Sequence, residues 1–376
     1  HKGVKNMNAL IIVEYNPLHN GHIYHINQTK QLLDNMFPQE ENSVIAVMSG
    51  NFTQRGDISV LNKYTRATHA IKSGVDMVVE LPTIYATSSA EYFANGAMQI
   101  ASKIKNLALI CFGSECDDFS TLQNIADLSF TAEYNTLIKY YMKSGISYPK
   151  ANELAIQNMS KIDTNLINMP NNILGIEYIK QAKKLNINSK LTSIKRIGNG
   201  YNEDSLDGKF NSSKSIRVAL DEGKTEFKQL KIPKYVYEDL LNYHVDYNKL
   251  LAIIANNCLT IKEVYEDTEG VVNRIKKFSQ QAHTYQELVD LAHTKRYTKS
   301  KIKRILLHIA LSHSADNIQP IGKPNILAVK GNKKSLLSMI DMQGDLIATD
   351  MNYFANSIYN IVSKDKILSE KMLIID

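Results

Sequence analysis

The chain has 376 residues, of which 44% are hydrophobic and 22% charged, a balance that suits a globular protein with room for more than one domain. No apolar run is long enough to span a bilayer and no secretory signal pattern stands out, so no membrane partner and a cytoplasmic location are expected. A net charge of +6 permits a polyanionic partner without requiring one. Cys111, Cys116 and Cys258 supply neither a disulfide framework nor a zinc site, and read as free thiols in a reducing compartment. Residues 1–6, before Met7, read as an appended leader outside the fold.

In chain order, Asn8 to Val13 reads as a buried strand. It runs into Ile12-Val13-Glu14-Tyr15-Asn16-Pro17-Leu18-His19-Asn20-Gly21-His22-Ile23-Tyr24-His25, a polar turn with a proline and two histidines around a glycine, and then into a helix from Gly21 to Leu33. Strand, loop and helix N-terminus is the order used by phosphate sites. Backbone N–H groups and the positive end of the helix dipole favour an anion there, and His19 and His22 add side-chain donors. His-x-Gly-His in this setting is the signature of a nucleotidyltransferase superfamily, whose members bind a nucleoside triphosphate and catalyse attack on its α-phosphate. The other reading is a Rossmann-like turn with incidental histidines.

Ser43 to Met48 is a second strand, followed by the small, polar loop Ser49 to Asp57, where a parallel sheet places its ligands. Arg55 in that loop suits a phosphate or RNA contact, or is a solvated loop arginine. A helix opening at Asn62 carries Lys63 and Arg66 on one face, for RNA or for solvent. Met77 to Leu81 and Leu107 to Phe112 are further strands, separated by a helix within Ser88 to Lys105. Gly113 is a second place where backbone can approach a ligand. Glu115 could orient a ribose or magnesium, with capping of the next helix slightly favoured. Strands alternate with helices, so an α/β, doubly wound, Rossmann-like domain with a mostly parallel sheet is expected.

The stretch from Phe119 to Lys161 is helical and tyrosine-rich. Met169 to Gly175 reads as a turn before a helix from Ile176 to Lys184, with Asn171 and Asn172 suited to an N-cap or to an adenine edge. Leu191 to Ile197 reads as a fifth strand with Arg196 near its end. Ser212 to Arg217 opens another helix, whose hydroxyls, Ser215 among them, and Arg217 form a second phosphate clamp. Past residue 228 helices dominate: Lys234 to Tyr243, Leu259 to Glu266, Gly270 to Lys277, Tyr285 to Ala292 and Lys299 to Ser312. The expected division is a nucleotidyltransferase domain over 7–228 and a mainly helical RNA-binding domain over 229–376. In the latter a basic run holds Lys295, Arg296, Tyr297, Lys299, Lys301, Lys303 and Arg304, suited to an RNA backbone and an unstacked base. The tail from Pro324 to Asp376 reads as mixed, with a short strand, Asn325 to Val329, a helix and then weak pattern, and is not assigned further.

The strings V-E-Y-N-P-L-H-N-G-H-x-Y-H, M-S-G-N-F-x-Q-R-G, F-G-S-E, P-N-N-I-L-G, S-x-S-I-R and T-K-R-Y-T, in this order from Met7 to about residue 310, resemble the bacterial tRNA(Met) cytidine acetate ligases. The resemblance implies formation of acetyl-adenylate and pyrophosphate from acetate and ATP. The exocyclic amine of the wobble cytidine of elongator tRNA(Met) then takes the acetyl group to give N4-acetylcytidine. By position it implies an ATP site from Ile12 to His25 with Gly113, Asn171, Asn172, Arg196, Ile197 and Ser215. His19, His22 and Arg217 would stabilise the charge at the α-phosphate. A threonine is usual in the family where this chain has Lys214, which favours Ser215 and Arg217 as phosphate contacts. Magnesium would ride on the ATP phosphates, since the chain shows no dedicated carboxylate cage, and no protein partner is expected. A small-molecule adenylyltransferase of the pantetheine or nicotinamide nucleotide kind, or a non-catalytic RNA-binding protein, would account for parts of the pattern.

Overall fold

The computed structural model describes residues 4–376 apart from 117, 198–209, 224–225, 242, 268–269, 295 and 345–346. The strands are β1 (Asn6–Val13), β2 (Glu41–Ser49), β3 (Met77–Leu81), β4 (Leu107–Ser114), β5 (Lys190–Lys195), β6 (Asn325–Lys330) and β7 (Leu373–Ile375). The helices of the first part are α1 (Asn20–Met36), α2 (Lys63–Lys72), α3 (Thr83–Ala86), α4 (Ala90–Ala101), α5 (Phe119–Leu128), α6 (Ala132–Lys143), α7 (Tyr148–Met159), α8 (Thr164–Ile167), α9 (Pro170–Lys184) and α10 (Ser213–Asp221). Then come α11 (Phe227–Leu230), α12 (Lys234–Leu240), α13 (Tyr247–Asn257), α14 (Val271–Ser279), α15 (Tyr285–Ala292), α16 (Lys299–Ala310) and α17 (Ile347–Val362). Among the described residues no helix is long and apolar enough to cross a membrane.

The seven strands form one sheet in the order β5-β4-β1-β2-β3-β6-β7. The first five are parallel, with Val13 opposite Met48 and Ile11 opposite Cys111, and β6 lies antiparallel to β3. Both faces are covered, which is why β1 and β2 read as continuous apolar runs. Ala9, Ile11 and Val13 pack toward α1, α2 and α10, while Leu10, Ile45 and Val47 pack toward α4, α5 and α9. The expected doubly wound α/β fold is therefore the fold observed. The strand order turns back between β1 and β4. The crevice outside their carboxyl ends is where open α/β sheets hold ligands.

Some elements depart from expectation. Helix α9 starts at Pro170, six residues before Ile176, because proline is preorganised for the first helical position. The helix expected over Leu259 to Glu266 is absent. The chain is helical over α13 instead, where Asp246 caps the N–H groups of Asn248 and Lys249. The residues past 228 are not a body apart: β6 and β7 extend the first sheet from the edge of β3. Helices α13 to α17 form their own core, and Phe52 and Ile58 of the β2–α2 loop are buried in it.

Candidate active site

The loop after β1 is folded by the two histidines themselves. His19 is the N-cap of α1; its Nδ1 accepts from Gly21 N–H at 3.1 Å, and His22 Nδ1 accepts from His19 N–H at 3.3 Å. This is a capping box made of imidazoles. The rings stack at 3.7 Å between centroids. An imidazole that accepts at Nδ1 carries its proton on Nε2, so both rings offer a neutral Nε2–H donor. Burial, then the charge of Arg196, pushes His19 down to about 3, and burial, with His19, Arg196 and His25 beside it, holds His22 well below the ordinary histidine range. His25 falls to about 4 for the same reasons, and its Nε2 is buried without a partner among the described residues. A Cβ on Gly21 would lie 2.9 Å from His19 Cε1, so glycine is what allows the ring to fold back. The Asn16–Pro17 peptide is cis, and Tyr15 packs its ring 4.9 Å from that of His22.

Helix α10 brings the second expected clamp to this loop. Ser213 Oγ donates to Pro17 O at 3.0 Å and Arg217 Nη1 donates to Asn16 O at 2.6 Å. Its own N-terminus is a capping box of hydroxyls: Ser215 N–H donates to Ser212 Oγ, and Ser212 N–H to Ser215 Oγ. Ser215 Oγ also donates to Ser212 O and is buried, so its proton is committed inside the protein. Arg217 is the member of this helix whose guanidinium faces the loop.

Two further arginines complete the cluster. Arg196 and Ile197 follow the end of β5; Arg196 Nη1 donates to Asn171 Oδ1 at 3.2 Å and its backbone N–H to Ser114 O at 2.9 Å. Arg55 lies within electrostatic reach of Arg196 and Arg217, and of Glu14 and Asp57. Of the phosphate and RNA contacts expected for it, this neighbourhood of arginines at the crevice suits the phosphate one. Glu14 Oε1 accepts from Gln54 N–H at 2.8 Å, tying that loop to the end of β1.

At the end of β4, Glu115 does cap a helix, but α9 rather than the next one: its carboxylate accepts from the N–H groups of Asn171 and Asn172. Asn172 is wholly buried. Its Oδ1 accepts from Ser114 Oγ, Glu115 N–H and Cys116 N–H, and its Nδ2 donates to Leu166 O. An amide so committed shapes the loop, with its Oδ1 fully engaged and one Nδ2–H given to Leu166 O. Gly113 faces Arg196, where a Cβ would make only ordinary contact at 3.5 Å.

Lys63 and Arg66 are corrected outright. Both are fully buried and cannot touch RNA. Lys63 Nζ sits between Glu80, at 3.0 Å, and Glu370, at 3.3 Å. Arg66 donates to the carbonyls of Leu61, Glu14, Ser49 and Gly50, and so braces the ends of β1 and β2. Buried charges survive only with such partners. The signal was in the sequence: Glu80 interrupts an otherwise apolar strand and needs a cation.

The basic run is partly absorbed in the same way. Lys299 pairs with Asp290 at 2.6 Å, Lys303 with Asp57 at 2.9 Å and Arg304 with Glu266 at 2.8 Å. Lys301 and Arg296 lie over the Tyr297 ring, at 5.3 and 6.0 Å from its centroid. Lys295 lies outside the described residues. Among the described residues no group of three or more His, Cys, Asp or Glu is placed to hold a metal ion.

Residues 7–371 match the family model described as HIGH Nucleotidyl Transferase. The tRNA(Met) cytidine acetate ligase of Thermoanaerobacter sp. (strain X514) is 36% identical over 93% of this chain and 90% of its own length. The protein of that name from Clostridium botulinum (strain Okra / Type B1) is 36% identical over 88% of this chain and 85% of its own. Among solved structures, Thermotoga maritima TmcAL bound with alpha-thio ATP superimposes with a TM-score of 0.86 at 26% identity, covering 98% of this chain and 100% of that one. The chain thus belongs to the HIGH nucleotidyl transferases and, within them, to the tRNA(Met) cytidine acetate ligase family.

Proposed function

We propose that this protein is an ATP-dependent ligase that joins acetate to the exocyclic amine of the wobble cytidine of elongator tRNA(Met) in the cytoplasm, through an acetyl-adenylate. The observation that carries it is the convergence of two neutral, Nδ1-capped imidazoles with Arg55, Arg196 and Arg217 at the β1/β4 crevice. A carboxylate oxygen of acetate attacks the α-phosphorus, and the bond to the bridging oxygen breaks with its electron pair leaving on pyrophosphate. His19 and His22 donate Nε2–H groups to the charge that builds on the α-phosphate, while the guanidiniums take the charge of the leaving group. Donors already fixed by their own backbone caps need no reorganisation at that moment. In the second step the cytidine N4 attacks the acetyl carbonyl, the bond to AMP oxygen breaks, and N4 loses a proton.

Magnesium would supply further neutralisation on the β- and γ-phosphates; Glu115 and Asp57 have their oxygens engaged within the protein, which fits an ion held by phosphate and water rather than by a carboxylate cage. Arg296, Tyr297, Lys301 and Lys303 are members of the basic run that RNA would meet. ATP–pyrophosphate exchange with and without acetate tests the first step, and exchange that ignores acetate would point to a small-molecule adenylyltransferase instead. Base analysis of tRNA(Met) from cells lacking the protein tests the second, since unchanged N4-acetylcytidine would sink it.

A further inference from the structure

The β2–α2 loop touches both halves of the molecule. Phe52 and Ile58 root it in the helical core. Gly56, at φ +78, seats its tip against α16, where a Cβ would lie 2.6 Å from the backbone of Lys303 and Arg304. Arg55 of the same loop lies within electrostatic reach of Glu14, Asp57, Arg217 and Arg196. Asp57 stands between: its carboxylate accepts from Lys303 Nζ at 2.9 Å and lies 3.5 Å from Arg217 Nη2. The side chains of Asp57, Lys303 and Arg217 are only 17%, 27% and 20% exposed, so water screens these pairs in part. Tyr243, Tyr247 and Tyr285 lie within electrostatic reach of the carboxylate. Tyr285 presents a buried hydroxyl with no partner among the described residues.

A carboxylate is a poor neighbour for a phosphate site, because it repels the anion and competes for the same guanidinium. We propose that Asp57 is a positioning residue that competes with pyrophosphate for Arg217, and that Lys303 sets how strongly it competes. The proposal rests on the ATP and tRNA reading above. While Lys303 holds Asp57, Arg217 is available to phosphate. When an RNA backbone draws Lys303 away, the full charge of Asp57 falls on Arg217 and loosens its grip on pyrophosphate. Only ion pairs exchange partners; no covalent bond changes. Coupling of two binding events is reciprocal, so RNA and pyrophosphate weaken each other by the same factor. Arrival of the tRNA thereby clears pyrophosphate and blocks reversal of the adenylate step.

Calorimetric titration of magnesium pyrophosphate into the full chain, with and without a tRNA(Met) transcript, tests this. In the unaltered protein RNA is expected to weaken pyrophosphate binding about fivefold, the low end of ordinary coupling. Asp57→Asn should bind pyrophosphate about fivefold more tightly, Lys303→Met about fivefold more weakly, and both should lose the RNA effect. Opposite signs separate this role from damage to the loop, which weakens binding in both variants. Weakening in both, or RNA antagonism that persists in either, overturns the proposal while leaving the ligase reading intact. No pyrophosphate binding in the unaltered protein overturns both.

Discussion

Two helices point their N-termini at the same crevice, and both open with a reciprocal capping box. In α1 the partners are His19 and His22; in α10 they are Ser212 and Ser215. The backbone geometry solved is the same, but the chemistry left over differs. A serine that accepts one N–H and donates to a carbonyl has spent its proton, whereas an imidazole that accepts at Nδ1 still carries a donor on the far side of the ring, about 2 Å further into the site. In the proposed mechanism the imidazole box is therefore a cap that also presents hydrogen-bond donors to the α-phosphate. The hydroxyl box is a cap that holds Arg217 in place.

Substitution at His22 should separate the two boxes most sharply. His22→Ala is expected to lower acetate-dependent pyrophosphate exchange at least 100-fold, about 2.7 kcal/mol, with tRNA affinity nearly intact. Comparable loss of both would show that the ring is only structural. Gly21→Ala comes next: the new methyl meets His19 Cε1 and displaces the ring, which should reduce exchange by about 10- to 100-fold in a protein that still melts cooperatively. Exchange at the unaltered rate would mean that the ring position is not critical.

A pH comparison probes the same contrast through stability. His19 has its folded value depressed to about 3, while the unfolded chain titrates near 6.5. The unfolded state thus binds more protons below pH 6.5, and the stability contributed by the neutral ring is present above that value and lost as the pH falls toward 3. Between pH 7 and 5 the loss is about 2 kcal/mol. His19→Asn keeps a capping acceptor but does not titrate, so its urea-unfolding free energy should fall less over that range by about this amount. Parallel slopes for the two proteins would show that His19 is protonated in the fold. The smallest effect is expected for Ser215→Ala, about 1 kcal/mol of stability from the lost cap, with exchange reduced less than tenfold. A loss matching that of His22→Ala would make the two boxes equivalent.

Much of this was legible in the sequence. The alternation of apolar runs with helical periodicity gives the sheet, and the glycine between two histidines at a strand end gives the site. Helical periodicity alone does not place Lys63 and Arg66, because a pair three residues apart shares a helix face whether that face meets water or the sheet. What decides is Glu80, and a contact across seventeen residues leaves no periodic trace. Asn172 shows a related ambiguity: an asparagine that recognises a ligand and one that clamps a loop are the same letter. The pairing of β6 on β3 was invisible because antiparallel partners nearly 250 residues apart share no local signal.

The place of Glu370 bears on how the molecule is made. Lys63 lies on the second helix of the chain, yet one of its two counter-charges arrives with Glu370, and the edge of β3 stays open until β6 exists to cover it. Without those late segments Lys63 keeps Glu80 as its counter-charge but loses Glu370, and the edge of β3 stands unpaired. A fragment ending near residue 228 would therefore carry the nucleotide site on a sheet with the edge of β3 uncovered.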